Sequence, residues 1–256
     1  MNIEDKKDIK SVGSLLLDIG TVLMSSGATT ERIRITVNRI SGAFGYTTEL
    51  LITNRALMLT ISSRKEDYFF NSLKRTSAHG VNFRVVSGIS RMSWRIIDEK
   101  WTLEQIRTEL NRLIALPHYN RLIILGLVGV AGASFCRIFG GDALEMVVTF
   151  IATVSGLFIR QEAMKLKFNA YLCIFFAALT ASLISGLFRK LGVGTTMEHA
   201  FTACVLFLIP GVPLINTFTD FIDSNILNGM VRCIHALMIA LSIALGLLTS
   251  MILYGF

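Results

Sequence analysis

One stretch constrains this chain more than any other. Pro210-Gly211-Val212-Pro213-Leu214-Ile215-Asn216-Thr217-Phe218-Thr219-Asp220 lies inside a long apolar run. Each proline removes a backbone donor and clashes with the preceding turn. In hydrocarbon, the carbonyls freed by such a break need partners in protein or in a water-filled cavity. A helix broken here, with Asn, Thr and Asp beside the break, is a candidate passage for a polar solute.

The charge distribution says where the membrane lies. Residues 1–116 hold 17 Lys+Arg and 12 Asp+Glu, whereas the longer remainder holds 8 and 6. The first part therefore reads as a water-exposed domain and the second as membrane. The net charge of +7 comes without a Lys/Arg block. It fits a face near anionic lipid better than a nucleic-acid partner, and none is expected. No apolar signal core follows Met1-Asn2-Ile3-Glu4-Asp5-Lys6-Lys7, so the first domain is expected in the cytoplasm. Cys136, Cys173, Cys204 and Cys233 all lie in apolar segments without a C-x-x-C pair and read as buried small hydrophobes.

In the first domain, expected over 1–117, Val12, Leu15, Leu16, Ile19, Val22 and Leu23 share one helical face, with Ser11, Ser14, Asp18 and Thr21 opposite. Thr29 or Thr30 caps a second helix with Glu31 in its first turn. Residues 50–52 and 56–61 flank Thr53-Asn54-Arg55 as a hairpin, and Asn82 to Val86 is a third candidate strand. A helix is expected over Ile89 to Asp98, and Thr102-Leu103-Glu104-Gln105 is a capping box for another. The membrane domain, 118–256, has apolar segments at about 121–138, 143–160, 168–188, 199–219 and 233–256. The fold class is thus a membrane all-α bundle of about five transmembrane helices, preceded by a small α+β cytosolic domain. Only 15 uncharged residues separate Arg121 from Arg137, so one arginine must snorkel or face protein. Gly126, Gly129, Gly132 and Ala133 permit close helix contact. Five crossings place the C-terminus outside; Arg160, Lys165 and Lys167 then lie inside, as positive charge prefers, while Arg189 and Lys190 lie outside against that preference.

No Walker loop, H-E-x-x-H or G-x-S-x-G occurs, so neither an enzyme nor a cofactor is expected. His79, His118, His199 and His235 have no partner at metal-ligand spacing; His118 and His199 suit membrane interfaces, and His235 is a weak proton-relay candidate. The pathway candidates are Pro210, Gly211, Pro213, Asn216, Thr217, Asp220 and Arg232, with Arg137 and Arg160 as attractors of an anionic solute. Asp220 and Asp223 also read as solvated loop acids, and Arg137 and Arg160 as interfacial anchors. A membrane-anchored hydrolase using Ser62, Ser63, Asp67 and His79, or a sensor signalling through the first domain, are the rival readings.

Pro210-Gly211-Val212-Pro213-Leu214-Ile215-Asn216, Asp220, Gly229 and Arg232 resemble the PG-x-P-L-x-N…D…G-x-x-R signature of the threonine/serine exporter family. Gly27 and Glu31 resemble its G-x-x-x-E helix start, and Gly80-Val81-Asn82 its lead-in to a strand. Ser134-Phe135-Cys136-Arg137 and Phe158-Ile159-Arg160-Gln161 resemble shorter bacterial members, the large subunit of a split exporter. The resemblance implies export across the inner membrane of threonine and serine by fused members, or succinate by split pairs. It also implies a partner, a second small membrane subunit that supplies the other transmembrane half.

Overall fold

The computed structural model describes residues 3–63, 69–76, 80–117, 119–192 and 197–255. It divides into two compact units, one of Met1–Pro117 with Val212–Cys233, the other of His118–Gly211 with Ile234–Phe256. The first unit therefore takes in a segment from the far end of the chain, in addition to the expected 1–117.

In the first unit, α1 (Ile3–Ser25) and α2 (Thr30–Ala43) precede a three-stranded antiparallel meander of β1 (Tyr46–Ile52), β2 (Ala56–Ser63) and β3 (Phe69–Arg75). Leu57, Leu59 and Ile61 of β2, all fully buried, join Val12, Leu15, Leu16, Ile19 and Leu23 of α1 and Ile33, Val37 and Ile40 of α2 in one core. Each such Leu or Ile contributes about 1.5–3 kcal/mol by leaving water. The first helix takes the expected face, except that Thr21 is buried and turns its hydroxyl back to the Leu17 carbonyl at 2.8 Å. Gly20 lets α1 lie directly on Leu57, whose methyl sits 2.2 Å from where a Cβ would be. Two helices, α3 (Phe83–Glu99) and α4 (Leu103–Ile114), complete this part of the unit.

The hairpin forms as expected, with Ile52 opposite Leu57. The third strand does not lie at Asn82 to Val86. Asn82 instead caps α3, its side chain accepting from the Val85 amide, and β3 occupies Phe69–Arg75. Thr29 is the cap of α2, and the Thr102–Gln105 capping box is present at α4.

The second unit contains α5 (Arg121–Ile138), α6 (Ala143–Lys165), α7 (Ala170–Lys190), α8 (Glu198–Ala203) and the far part of α10 (Ile226–Tyr254). Among the described residues, four helices, α5, α6, α7 and α10, are long and apolar enough to cross a membrane. Gly129 and Gly132 face Phe150, Val154 and Thr153 of α6 at distances that exclude a Cβ, whereas Gly126 faces open space. Arg121 faces protein: its guanidinium meets Glu162 at 2.5 Å and stacks on Phe158. α7 and α10 run parallel. Tyr171 meets His235, Gly246 lies against Ala178 and the Phe175 carbonyl, and the Tyr254 hydroxyl donates to the Leu183 carbonyl.

The expected fourth span is the broken one. Residues Glu198–Leu208, which end in a 3-10 turn, are followed by α9 (Gly211–Ile222) with a bend of 59°. Besides the turn at Cys204 and Val205, only Ile209 and Pro210 are non-helical, and Pro213 lies in the first turn of α9, where a missing N–H costs nothing. The break is thus narrower than the Pro210–Pro213 stretch. The fifth helix begins at Ile226 rather than near residue 233, which brings Arg232 inside it.

Candidate functional site

α9 is polar on its buried face and apolar on its exposed one. Asn216, Thr217 and Asp220 are buried, while Ile215, Phe218 and Ile222 are exposed. The buried face meets the start of α2. A helix N-terminus has amides without intrahelical partners and a positive dipole end. Asp220 supplies the partner: its Oδ1 accepts from the Thr30 amide at 3.2 Å. The Asn216 side-chain amide donates to the Gly27 carbonyl at 2.9 Å, and Thr217 bonds within α9 to the Pro213 carbonyl.

The first turns of α10 complete the cluster. Arg232 Nε lies 3.3 Å from Asp220 Oδ2, and its Nη2 donates to the Ala28 carbonyl at 3.1 Å. The Asp220–Arg232 contact is one of charge without an aligned hydrogen bond; Oδ2 and Nη1 are buried without hydrogen-bond partners among the described residues. Asn228 donates to the Ile52 carbonyl at 2.9 Å and reaches the Thr30 hydroxyl at 3.3 Å. Arg34, paired with Glu31, donates to Asn225 at 3.1 Å. Two glycines are dictated by this packing. Gly27 has φ +86° and sits 3.0 Å (as a Cβ) from the Gly80 carbonyl, and a Cβ at Gly229 would strike the Phe221 ring. Arg232, Asn228 and Thr30 also border a recess of about 10 Å³, the size of one water.

Pro210, Gly211, Arg137 and Arg160 belong to the second unit. Pro210 is half-buried, and Gly211 is exposed with nothing within 4 Å of a built Cβ. In the second unit, Arg137 is exposed and donates to the Gly141 carbonyl at 3.1 Å, closing the turn after α5. Arg160 is half-buried on α6, and no acid among the described residues lies at ion-pair distance from it. His235 bonds to Tyr171. Asp67, His79 and His118 lie outside the described residues, as does the side chain of Ser63; Ser62 bonds to Thr47. Asp223 is half-exposed, in keeping with a loop acid, whereas Asp220 is fully buried.

Residues 14–254 match the family of threonine/serine exporters. The chain belongs to the threonine/serine exporter family. Relatives include proteins named probable succinate transporter subunit YjjP. The Klebsiella aerogenes protein is 26% identical over 98% of this chain and 97% of its own length, and that of Escherichia coli K12 is 27% identical over 96% of each. The protein named threonine/serine exporter of Corynebacterium glutamicum is 24% identical over 99% of this chain but only 54% of its own length. No solved structure matches.

In this exporter-family chain several of the signature residues are neighbours in space. Gly27, Glu31, Asn216, Asp220, Gly229 and Arg232 all serve the docking of α9 and α10 on the start of α2. Sequence reasoning missed Asn225 and Asn228, whose signal was an amide pair at the head of an apolar run. It also missed Glu145, an acid inside the second apolar segment, which is 4% exposed and bonded to His199.

Proposed function

We propose that this chain is one subunit of an inner-membrane secondary exporter of small polar metabolites, a dicarboxylate such as succinate or threonine and serine. It works by alternating access with a second small membrane subunit. The observation that carries the reading is Arg160 in an exporter-family chain: half-buried on an apolar helix, with no acid at ion-pair distance among the described residues. An ionisable group so placed is costly and marks a solute or ion path. Its fork matches a carboxylate, which every named solute possesses. The helix break at Ile209–Pro210, in the same unit, is a second feature that supports a path.

The parallel course of α7 and α10 supports five crossings. A chain leaving the end of α7 must cross once more before starting a parallel helix, so α8 and α9 together count as one broken span. The word subunit in the relatives' names supports a partner chain. The cytoplasmic placement of the first domain rests on Arg160, Lys165 and Lys167 lying at its side of the membrane.

The deciding experiment is metabolite efflux from cells that lack the chain, carry it, or carry Arg160→Gln. Export of at least one carboxylate solute is expected to need the chain, and Arg160→Gln is expected to lower its rate about tenfold at equal membrane abundance. Unchanged efflux profiles across all three strains would sink the reading.

A further inference from the structure

The second unit contains a buried acid that no step above uses. Glu145 is the third residue of α6, and its carboxylate has three donors around it. The Asp142 amide lies 3.1 Å from Oε2, the His199 amide 3.3 Å from Oε1, and His199 Nδ1 3.1 Å from Oε2. Two of these donors are backbone N–H groups, which can only donate. Each carboxylate oxygen therefore accepts at least one hydrogen bond. The tautomer with its hydrogen on Nδ1 gives the carboxylate its third donor. Nε2 is left as the acceptor nitrogen, with no hydrogen-bond partner among the described residues, on a side chain that is 38% exposed. The carboxylate itself is closed in. A Cβ at Gly141 would lie 2.5 Å from Cys136 Sγ and 3.2 Å from Glu145 Oε2.

We propose that the Glu145–His199 pair is the proton-binding site that couples export to a proton gradient. This deepens the exporter reading and rests on it. Nε2 takes a proton from the outer side, giving an imidazolium against a fixed carboxylate, and gives it up when the path reopens inward. Imidazole is the side chain suited to exchange between about pH 5 and 8. The pair changes its net charge from −1 to 0, so no uncompensated charge is created in a low-dielectric setting. It is placed to act on the path. His199 is the second residue of α8, and α8 leads through the 3-10 turn to the break at Ile209–Pro210. Glu145 is therefore the clamp by which α6 holds the first half of the broken span, and protonation strengthens that clamp. Among the described residues, the groups beside the pair are the Cys136 thiol of α5 and the Asp142 carboxylate at the start of α6, with Arg137 closing the turn after α5; α7 packs against this cluster through Phe188.

The test uses inside-out membrane vesicles from the native host, with radiolabelled succinate and threonine as probes. One assay imposes an acid-inside gradient; the other follows exchange of labelled for unlabelled solute at equal pH. Glu145→Gln keeps the acceptor for the Asp142 amide, and His199→Gln keeps the backbone contact and a side-chain donor. For both, gradient-driven accumulation should fall about tenfold per pH unit imposed, the value of one proton. Exchange should stay within about twofold, since it needs no net proton transfer. Asp223→Asn, at a half-exposed loop acid, should accumulate solute as wild type does. Variants that keep gradient-driven accumulation with the wild-type pH profile would overturn the proposal. Equal loss of both activities at normal abundance would overturn it too, by reducing the pair to a structural clamp. Should Glu145→Gln fail to reach the membrane, His199→Gln decides alone. A wild-type chain that moves neither probe in either assay overturns the exporter reading, and the proton site with it.

Discussion

Asp220 has no solvent exposure and divides its oxygens between the Thr30 amide and the Arg232 guanidinium. Removing one member of a buried ion pair strands the other charge. Asp220→Ala is expected to destabilise the first unit by roughly 3–5 kcal/mol. Asp220→Asn keeps an acceptor for Thr30 and should cost less, while the half-exposed Asp223→Asn should fall within about 0.5 kcal/mol of wild type. Unfolding in detergent, with membrane abundance as a second readout, ranks the three. A double variant Asp220→Leu with Arg232→Met is expected to lose less than the two single changes summed. Fully additive losses would show that the two side chains do not act as a pair. Asp220 was legible in the sequence as a residue with a purpose. Its partner was not, because Thr30 is 190 residues away and the contact is a backbone amide, which has no signature of its own.

At the scale of elements, legibility followed local chemistry. The caps Thr29 and Thr102 and the hairpin around Thr53-Asn54-Arg55 depend on neighbours within four residues and were readable. The third strand was not. Phe-Phe-Asn-Ser-Leu-Lys-Arg lacks β-branched residues and ends in charge, so it gives a weaker strand signal than the paired valines after Asn82. Asn82 followed by free helical amides won the contest there. The glycines of the spans carry the clearest element-scale prediction. A Cβ at Gly246 would sit 2.9 Å from the Phe175 carbonyl and the Leu179 amide, which are backbone and cannot step aside. Gly246→Val is expected to force α7 and α10 apart and cut membrane abundance several-fold, as overpacking costs roughly 1–3 kcal/mol. Gly126→Val, facing open space, should be neutral in the same immunoblot. Equal abundance of the two variants would deny that α7 and α10 touch at Gly246.

For the whole molecule, the charge partition and the Pro210 break were enough to anticipate a charged domain, an apolar remainder and a bent span. They did not reveal that Val212–Cys233 belongs to the compact unit of the first domain. Hydropathy reports how apolar α9 is, and nothing about which of its faces is buried against protein. Five crossings make a topological prediction. Alkaline phosphatase fused after Lys167 should be inactive, and fused at the C-terminus active. The reverse pattern, or activity at neither site, would require a different count. Reconstituted alone, the chain is expected to show little flux until the second subunit is added; full transport without it would remove the need for a partner.

The contact between Thr30 and Asp220 also has a timetable. At about 5–20 residues per second, a ribosome needs roughly 10–40 s to go from the one residue to the other. For that interval the amides at the start of α2 and the carbonyls of Gly27, Ala28 and Ile52 wait for Asn216, Asp220, Asn228 and Arg232. Most of the membrane helices are made in the meantime. The newborn first unit is thus complete only once Asn228 and Arg232, in the first turns of α10, have been made.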